Sequence, residues 1–219
     1  MTTKVLHDDE QIRKPALRIS HIVYGREKNG SRVTYLVDPK GGGEQRDIAE
    51  EVILKRWRKR VFPGYSFHGD RLYPHCWKAI SMVLGNAPSA LWMTLSVESI
   101  NEMRKEASES LGHLRHSLPA PSTLYALIQV CGFERLRLIF ERHLQTTDGD
   151  PFGTPDLFLF ATDRSGRQVM GRFVEVKKPE EPFQKTQKPE IEFLQSLGLH
   201  ARVLRLIERD AMQPAVKNV

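Results

Sequence analysis

Hydrophobic positions change their period several times along the chain, and each change predicts a different element. Between residues 16 and 38, ALRISHIVYG and SRVTYLVDP are rich in β-branched and aromatic residues and are separated by REKNG. The Asn29-Gly30 step tolerates the positive φ angles of a tight turn, so an antiparallel hairpin is expected there. Gly41, Gly42 and Gly43 follow as a linker. From about 44 to 61 the period lengthens, and Glu50, Ile53, Leu54, Trp57 and Val61 recur along one helical stripe. Glu50 then faces the interior, whereas Glu51, Lys55 and Arg58 form a solvent stripe.

Residues 72–145 read as mainly helical, with helices expected near 75–84, 96–110, 122–131 and 133–145, punctuated by Pro88, Pro119, Pro121 and Gly132. Leu136, Ile139, Phe140 and Leu144 mark the last of these as a core helix. After residue 151 the pattern becomes strand-like: DLFLFA and RQVMGRFVEVK flank the polar turn DRSGR, which predicts a second hairpin. A helix at 187–197 closes at Gly198, placed as a C-terminal cap, and ARVLRLI forms a last strand. The expected division is an N-terminal hairpin and linker at 1–43, then one α/β domain at 44–219 with a helical insert at 72–145.

Composition narrows the class. With 219 residues, 40% hydrophobic and 27% charged, the chain suits one large domain or a core with an insert. No run approaches the roughly 18 apolar residues of a membrane span, and the opening MTTKVLHDDEQ lacks the apolar segment of a secretory signal. A cytoplasmic protein with no membrane partner is expected, associated with the nucleoid if bacterial. Cys76 and Cys131 stand far apart without a CxxC partner, so neither a disulfide framework nor a cysteine zinc site is suggested, and buried reduced thiols are expected. Lys and Arg exceed Asp and Glu by 33 to 27, and the pI near 9.4 favours a polyanionic partner. Lys55, Arg56, Arg58, Lys59 and Arg60 crowd around Trp57, and Lys177, Lys178, Lys185 and Lys188 form a second group. On charge alone, each run reads equally well as a solvated face.

The second hairpin carries the chemistry. A turn centred on Ser165 sets Asp156 opposite Val174 and Glu175, so two carboxylates meet at one end of the ladder. Alternation places Glu175 and Lys177 on one face, roughly 7 Å apart, while Val174 and Val176 point the other way. Neighbouring carboxylates repel unless a cation joins them, which makes Asp156 and Glu175 an oxygen-ligand pair for Mg²⁺ or Mn²⁺. The Lys177 ammonium is placed to orient a water or to stabilise charge developing on phosphorus. A surface Asp/Glu pair with a lysine salt bridge has the same spacing, so spacing alone leaves both readings open.

GTPDLFLF, the nineteen-residue step from Asp156 to Glu175, and FVEVKKPEE together resemble the PD-(D/E)xK nucleases, and more closely their VRR-NUC branch. Gly153, Pro155, Asp156, Leu157, Glu175, Val176, Lys177, Pro179, Glu181, Gln187 and Gly198 fall at matching positions, and the likeness covers about 150–207. It implies a restriction-endonuclease-like mixed sheet flanked by helices and a Mg²⁺- or Mn²⁺-dependent hydrolase of DNA phosphodiester bonds. Asp156 and Glu175 take the place of metal ligands, Lys177 that of a catalytic residue and Gln187 that of a supporting one. The family draws a further Glu from its first core helix; Glu50 is the first choice and Glu51 the second. FPGYSFHGD at 62–70 is similar to a stretch of the Fanconi-associated nuclease, whose core also carries a helical insert, and Asp70 falls there where an acid is usual. That kinship implies a monomer acting on flaps, forks or junctions in repair or recombination, with Lys178 and the 55–60 cations on the DNA.

Departures from the pattern fall at Lys178, Pro182, Glu190 and the TTDGDPF segment, which flank the cleft and bear on substrate geometry. His113 and His116 lack the acid and third ligand of a zinc site. His68 beside Asp70 reads as a proton relay or as a plain hydrogen-bond partner, and Trp57 as a base-stacking platform or as packing. The competing class is a non-catalytic DNA-binding or docking module that keeps the fold.

Overall fold

Strand and helix alternate because the apolar period alternates between two and 3.6. The computed structural model describes residues 19–29, 32–37, 45–85, 94–144, 153–178 and 181–208. Its elements are β1 (Ile19–Asn29), β2 (Arg32–Val37), β3 (Gln45–Asp47), α1 (Ala49–Arg58), β4 (Tyr65–Arg71), α2 (Cys76–Leu84), α3 (Val97–Glu106), α4 (Ser108–Leu111), a 3-10 helix (Gly112–Ser117), α5 (Pro121–Leu144), β5 (Leu157–Asp163), β6 (Gln168–Lys177), α6 (Gln187–Ser196) and β7 (Ala201–Glu208). Seven strands form one sheet in the order β3-β2-β1-β7-β6-β5-β4. β7 runs parallel to both β1 and β6, whereas β1/β2, β2/β3, β4/β5 and β5/β6 are antiparallel, so the fold is an α/β mixed sheet flanked by helices.

The first predicted hairpin is present, pairing Gly25 with Leu36 through to Asn29 with Arg32. Gly30 and the Gly41–Gly43 linker lie outside the described residues. The break expected at Gly132 is a left-handed kink, φ +70°, between the two halves of α5. Gly198 at φ +74° closes α6 as expected.

Strand alternation sorts the apolar residues onto two faces. Leu157, Leu159, Val174, Val176 and Leu206 meet Ala49, Val52, Ile53, Leu54 and Trp57 of α1. Phe158, Phe160, Phe173, Ala201 and Val203 face the other way, onto α2, α5 and α6. Phe173 is the hub of that second core, with ring centroids 5.1 Å from Phe158 and 5.8 Å from Trp77. Burying one such ring contributes about 1.5–3 kcal/mol. Cys76 and Cys131 are free and buried, and burial pushes both thiols well above the ordinary thiol range, which leaves them unreactive. Among the described residues no helix is long and apolar enough to cross a membrane.

Two local expectations are corrected. The first helix starts at Ala49 and not near 44, because Gln45–Asp47 pair with β2. It also stops before Val61, which is 94% exposed and does not belong to the buried stripe. Pro63 disfavours helical backbone at Phe62, and Gly64 at φ +85° turns the chain into β4. β4 itself was not anticipated. Its YSFHGDR sequence has Tyr65 and Phe67 but then runs into Gly69 and Asp70, which are poor in strands, and it is held by a seven-pair ladder from Tyr65↔Asp163 to Arg71↔Leu157. Gly69 permits that ladder, since a Cβ there would sit 2.8 Å from Leu159 and 3.0 Å from the Phe158 carbonyl.

Candidate active site

The β5–β6 ladder pairs Leu157 with Val174 and Phe158 with Phe173, and a bulge between Ala161 and Thr162 shifts the register by one residue near the turn. Asp156, one step beyond the last pair, therefore stands level with Glu175. Its Oδ2 accepts a 2.7 Å hydrogen bond from the Val176 N–H, and its carbonyl accepts one of 2.8 Å from the Leu72 N–H. The aspartate is thus tied at once to β6 and to the chain leaving β4.

Glu175 and Lys177 are each 1% exposed. Burying an ammonium this deeply requires paired charge. Lys177 Nζ lies 3.2 Å from Glu175 Oε1 and 3.5 Å from Glu181 Oε1, and it stands 5.7 Å above the Phe183 ring. Gln187, the first residue of α6, donates through Nε2 to Glu175 Oε1 at 2.5 Å while its Oε1 accepts the Gln184 N–H at 2.9 Å. That position depends on Gly153, because a Cβ there would approach Gln187 Cα to 2.9 Å. Asp156, Glu175, Lys177 and Gln187 are therefore brought together from three separate elements.

The electrostatics of this cluster are unbalanced toward negative charge. Burial raises the Asp156 carboxyl to about 6; the Val176 N–H pulls against that shift, and the charge of Glu50 adds to it. Burial and then the charge of Asp156 raise Glu175 to about 8, with Lys177 opposing. Two hard oxygen donors short of positive charge suit Mg²⁺ or Mn²⁺, which binds through one or two carboxylates and completes its octahedron with water and phosphate oxygens. A complete protein cage is not formed, since among the described residues no group of three His, Cys, Asp or Glu side chains converges to hold an ion.

Glu50 accordingly departs from its predicted place as a third ligand. It is half-buried at the start of α1, which packs on the sheet face opposite Glu175, and it reaches Asp156 through its charge. Glu51, also half-buried, is not among the charges that shift Asp156.

The predicted DNA-contact run divides. Arg56, Arg58, Lys59, Arg60 and Lys178 are exposed and Lys55 is half-buried, and Arg58 also donates to the Gly69 carbonyl at 2.6 Å and so braces β4. Trp57 is packing and not a stacking platform. It is 5% exposed, and its Nε1 donates to the carbonyls of His68 at 2.8 Å and Phe160 at 3.2 Å. His68 stacks on Phe160 and lies 3.2 Å from Thr162 Oγ1, which makes it a hydrogen-bond partner. Asp70 accepts the N–H groups of Arg71 and of Ala120, just before α5.

Sequence reasoning missed Glu190. It is fully buried and pairs with Arg142 Nε at 3.0 Å and His143 Nε2 at 2.8 Å, locking α6 and hence Gln187 against α5. No local spacing announces a pair separated by 47 residues.

Residues 101–206 match the model of the VRR-NUC domain family. Its fold resembles a crystal structure of paFAN1 bound to 2nt 5′flap DNA with a gap, at TM-score 0.54 and 15% identity, over 89% of this chain and 38% of that one. A second paFAN1 structure, with a 1nt 5′flap, matches at TM-score 0.49 and 15% identity over the same shares. The chain thus spans less than two fifths of that nuclease's length. No curated protein matches it.

Proposed function

We propose that this chain hydrolyses DNA phosphodiester bonds with Mg²⁺ or Mn²⁺ and prefers branched DNA, flaps above all. The observation that carries the reading is the buried convergence of Asp156 and Glu175 with Lys177 and Gln187 at one end of the β5–β6 hairpin. The VRR-NUC match supports the nuclease class, and the flap DNA in the structural neighbours supports the substrate.

Each residue has a separate task. A divalent ion held by Asp156 and Glu175 would supply Lewis-acid polarisation of the phosphate and a more acidic water. Gln187 fixes the Glu175 rotamer from the end of α6, and the Val176 N–H fixes that of Asp156. Lys177, rigid between Glu175, Glu181 and Phe183, directs its ammonium at the same point and stabilises negative charge as it grows on the phosphate oxygens. Phe183 and the buried strand end keep the surroundings low in dielectric, which strengthens that interaction. The protein works as a monomer in the DNA-containing compartment, with the helical insert covering one face of the sheet.

Incubating labelled 5′ flap, fork, four-way junction and linear DNA with and without Mn²⁺ tests the reading. Wild-type protein should give metal-dependent products, fastest on flaps, and Asp156→Ala should slow cleavage by about 10³-fold or more. Products that persist undiminished in Asp156→Ala reject this site. Binding without cleavage by either protein favours a docking module instead.

A further inference from the structure

Four arginines from three segments meet on the α1 face of the sheet. Arg56 in the last turn of α1, Arg60 just beyond it, Arg172 on β6 and Arg202 on β7 line a cavity of about 450 Å³ whose remaining walls are apolar. Among the described residues no carboxylate lines it and none of the four guanidiniums is in an ion pair. Burial lowers the pKa of Arg172, and the charges of Arg202 and Arg60 push it the same way. The floor is rigid: Trp57 is pinned by its two Nε1 hydrogen bonds, with Arg60 5.0 Å and Arg172 4.9 Å from its ring centroid.

The pocket is distinct from the acid cluster. Arg172 and Glu175 leave β6 on opposite faces, and Arg60 is separated from Glu50 by the length of α1, about 15 Å at 1.5 Å per residue. Converging guanidiniums held without a carboxylate are matched by an oxyanion, which they grip with forked, charge-assisted hydrogen bonds.

We propose that this pocket holds a phosphate of a DNA strand and anchors a second segment of the substrate on the face away from the chemistry. The choice of DNA as the polyanion rests on the nuclease reading; the choice of an oxyanion rests on the pocket. A backbone phosphodiester and a terminal phosphomonoester share this chemistry, and the experiment separates them.

The test compares full-length wild type with Arg172→Gln/Arg202→Gln and with Arg202→Gln alone. Fluorescence anisotropy on a labelled flap duplex in EDTA, across a salt series, keeps binding separate from cleavage. The double variant should bind about tenfold more weakly at low salt, and its slope of log affinity against log salt should be shallower by about 2. Tm should be unchanged or higher, because like charges have been removed. Loss on both 5′-phosphorylated and 5′-hydroxyl DNA assigns a backbone phosphate, and loss on the phosphorylated strand alone assigns a terminal one; either supports the pocket. Unchanged affinity and slope overturn it, as does a loss that appears only together with a lowered Tm in both variants. Weakened binding in a protein that cuts no DNA would sink the nuclease reading and leave the pocket standing; normal cleavage with unaltered binding would do the reverse.

Discussion

Within three residues, β6 carries charge of opposite sign on its two faces: Glu175 with Asp156 on one, Arg172 with Arg202 on the other. In both places like charges crowd together: Asp156 pushes Glu175 toward its neutral form, and Arg202 and Arg60 push Arg172 the same way. Glu190 provides the contrast. It is more deeply buried than either, yet it meets Arg142 and His143 and is fully partnered. A fold that can pair a buried carboxylate this completely leaves a surplus of one sign in two other places, which makes Glu190 a strut and those places candidates for a bound ion. The sign of the surplus suits a metal cation at the acids and an oxyanion at the arginines, as proposed above.

The largest effect that would sharpen this contrast is at the strut. Glu190→Ala leaves two basic groups facing a buried void and should destabilise the protein by about 3–5 kcal/mol in urea unfolding. Because α6 loosens with it, Gln187 loses its hold on Glu175, and cleavage should fall in the fraction that remains folded. A variant with wild-type stability would show that Glu190 is no strut.

The acid cluster should respond in the opposite sense. Folded Asp156 and Glu175 hold their protons more tightly than unfolded carboxyls do, so native protein binds more protons than unfolded between about pH 4 and 8. Metal-free stability is therefore greatest at the acid end of that window and declines as pH rises through about 6 and then about 8. Asp156→Asn keeps an acceptor for the Val176 N–H and removes one charge, so at pH 8 it should stabilise metal-free protein by about 1–3 kcal/mol. The same titration makes metal loading release protons, and Mn²⁺ affinity measured by calorimetry should strengthen with pH over that range. A flat profile of Tm against pH in wild type would contradict the crowding of the two acids.

The smallest effect concerns the helix acid. Glu50→Gln should change metal-dependent cleavage by about threefold to tenfold, because its charge reaches Asp156, whereas Glu51→Gln should leave it near wild type. The reverse order would assign the position to Glu51.

Much of the site was legible in the sequence because it is built on a hairpin, where sequence distance and spatial distance are linked by one turn. Asp156 and Glu175 were brought opposite each other within a residue, the remaining offset being the bulge at Ala161 and Thr162. β4 was not legible: Phe67, His68 and Gly69 carry no strand pattern, and their partners lie some ninety residues further on. Arg172 and Arg202 read as ordinary strand residues until the parallel pairing of β6 with β7, made through α6, set them on one face. The cationic run at 55–60 looked uniform in charge, yet Trp57 turns inward to bind carbonyls on β4 and β5, and the exposed Arg58 is tied to the Gly69 carbonyl of β4.

The bond between the Asp156 carbonyl and the Leu72 N–H also says something about how the chain was assembled. The chain departs from the sheet at Arg71 and re-enters at Leu157, and those two residues are ladder partners. Everything between is an excursion whose two ends touch, so β4 and β5 would make an ordinary hairpin if a short turn replaced it. Such a shortened form would keep the geometry of the acids but strip α2 and α5 from Phe158, Phe160 and Phe173, leaving α6 as their remaining cover. Trimming the excursion should therefore expose an apolar face that calls for a second chain to cover it.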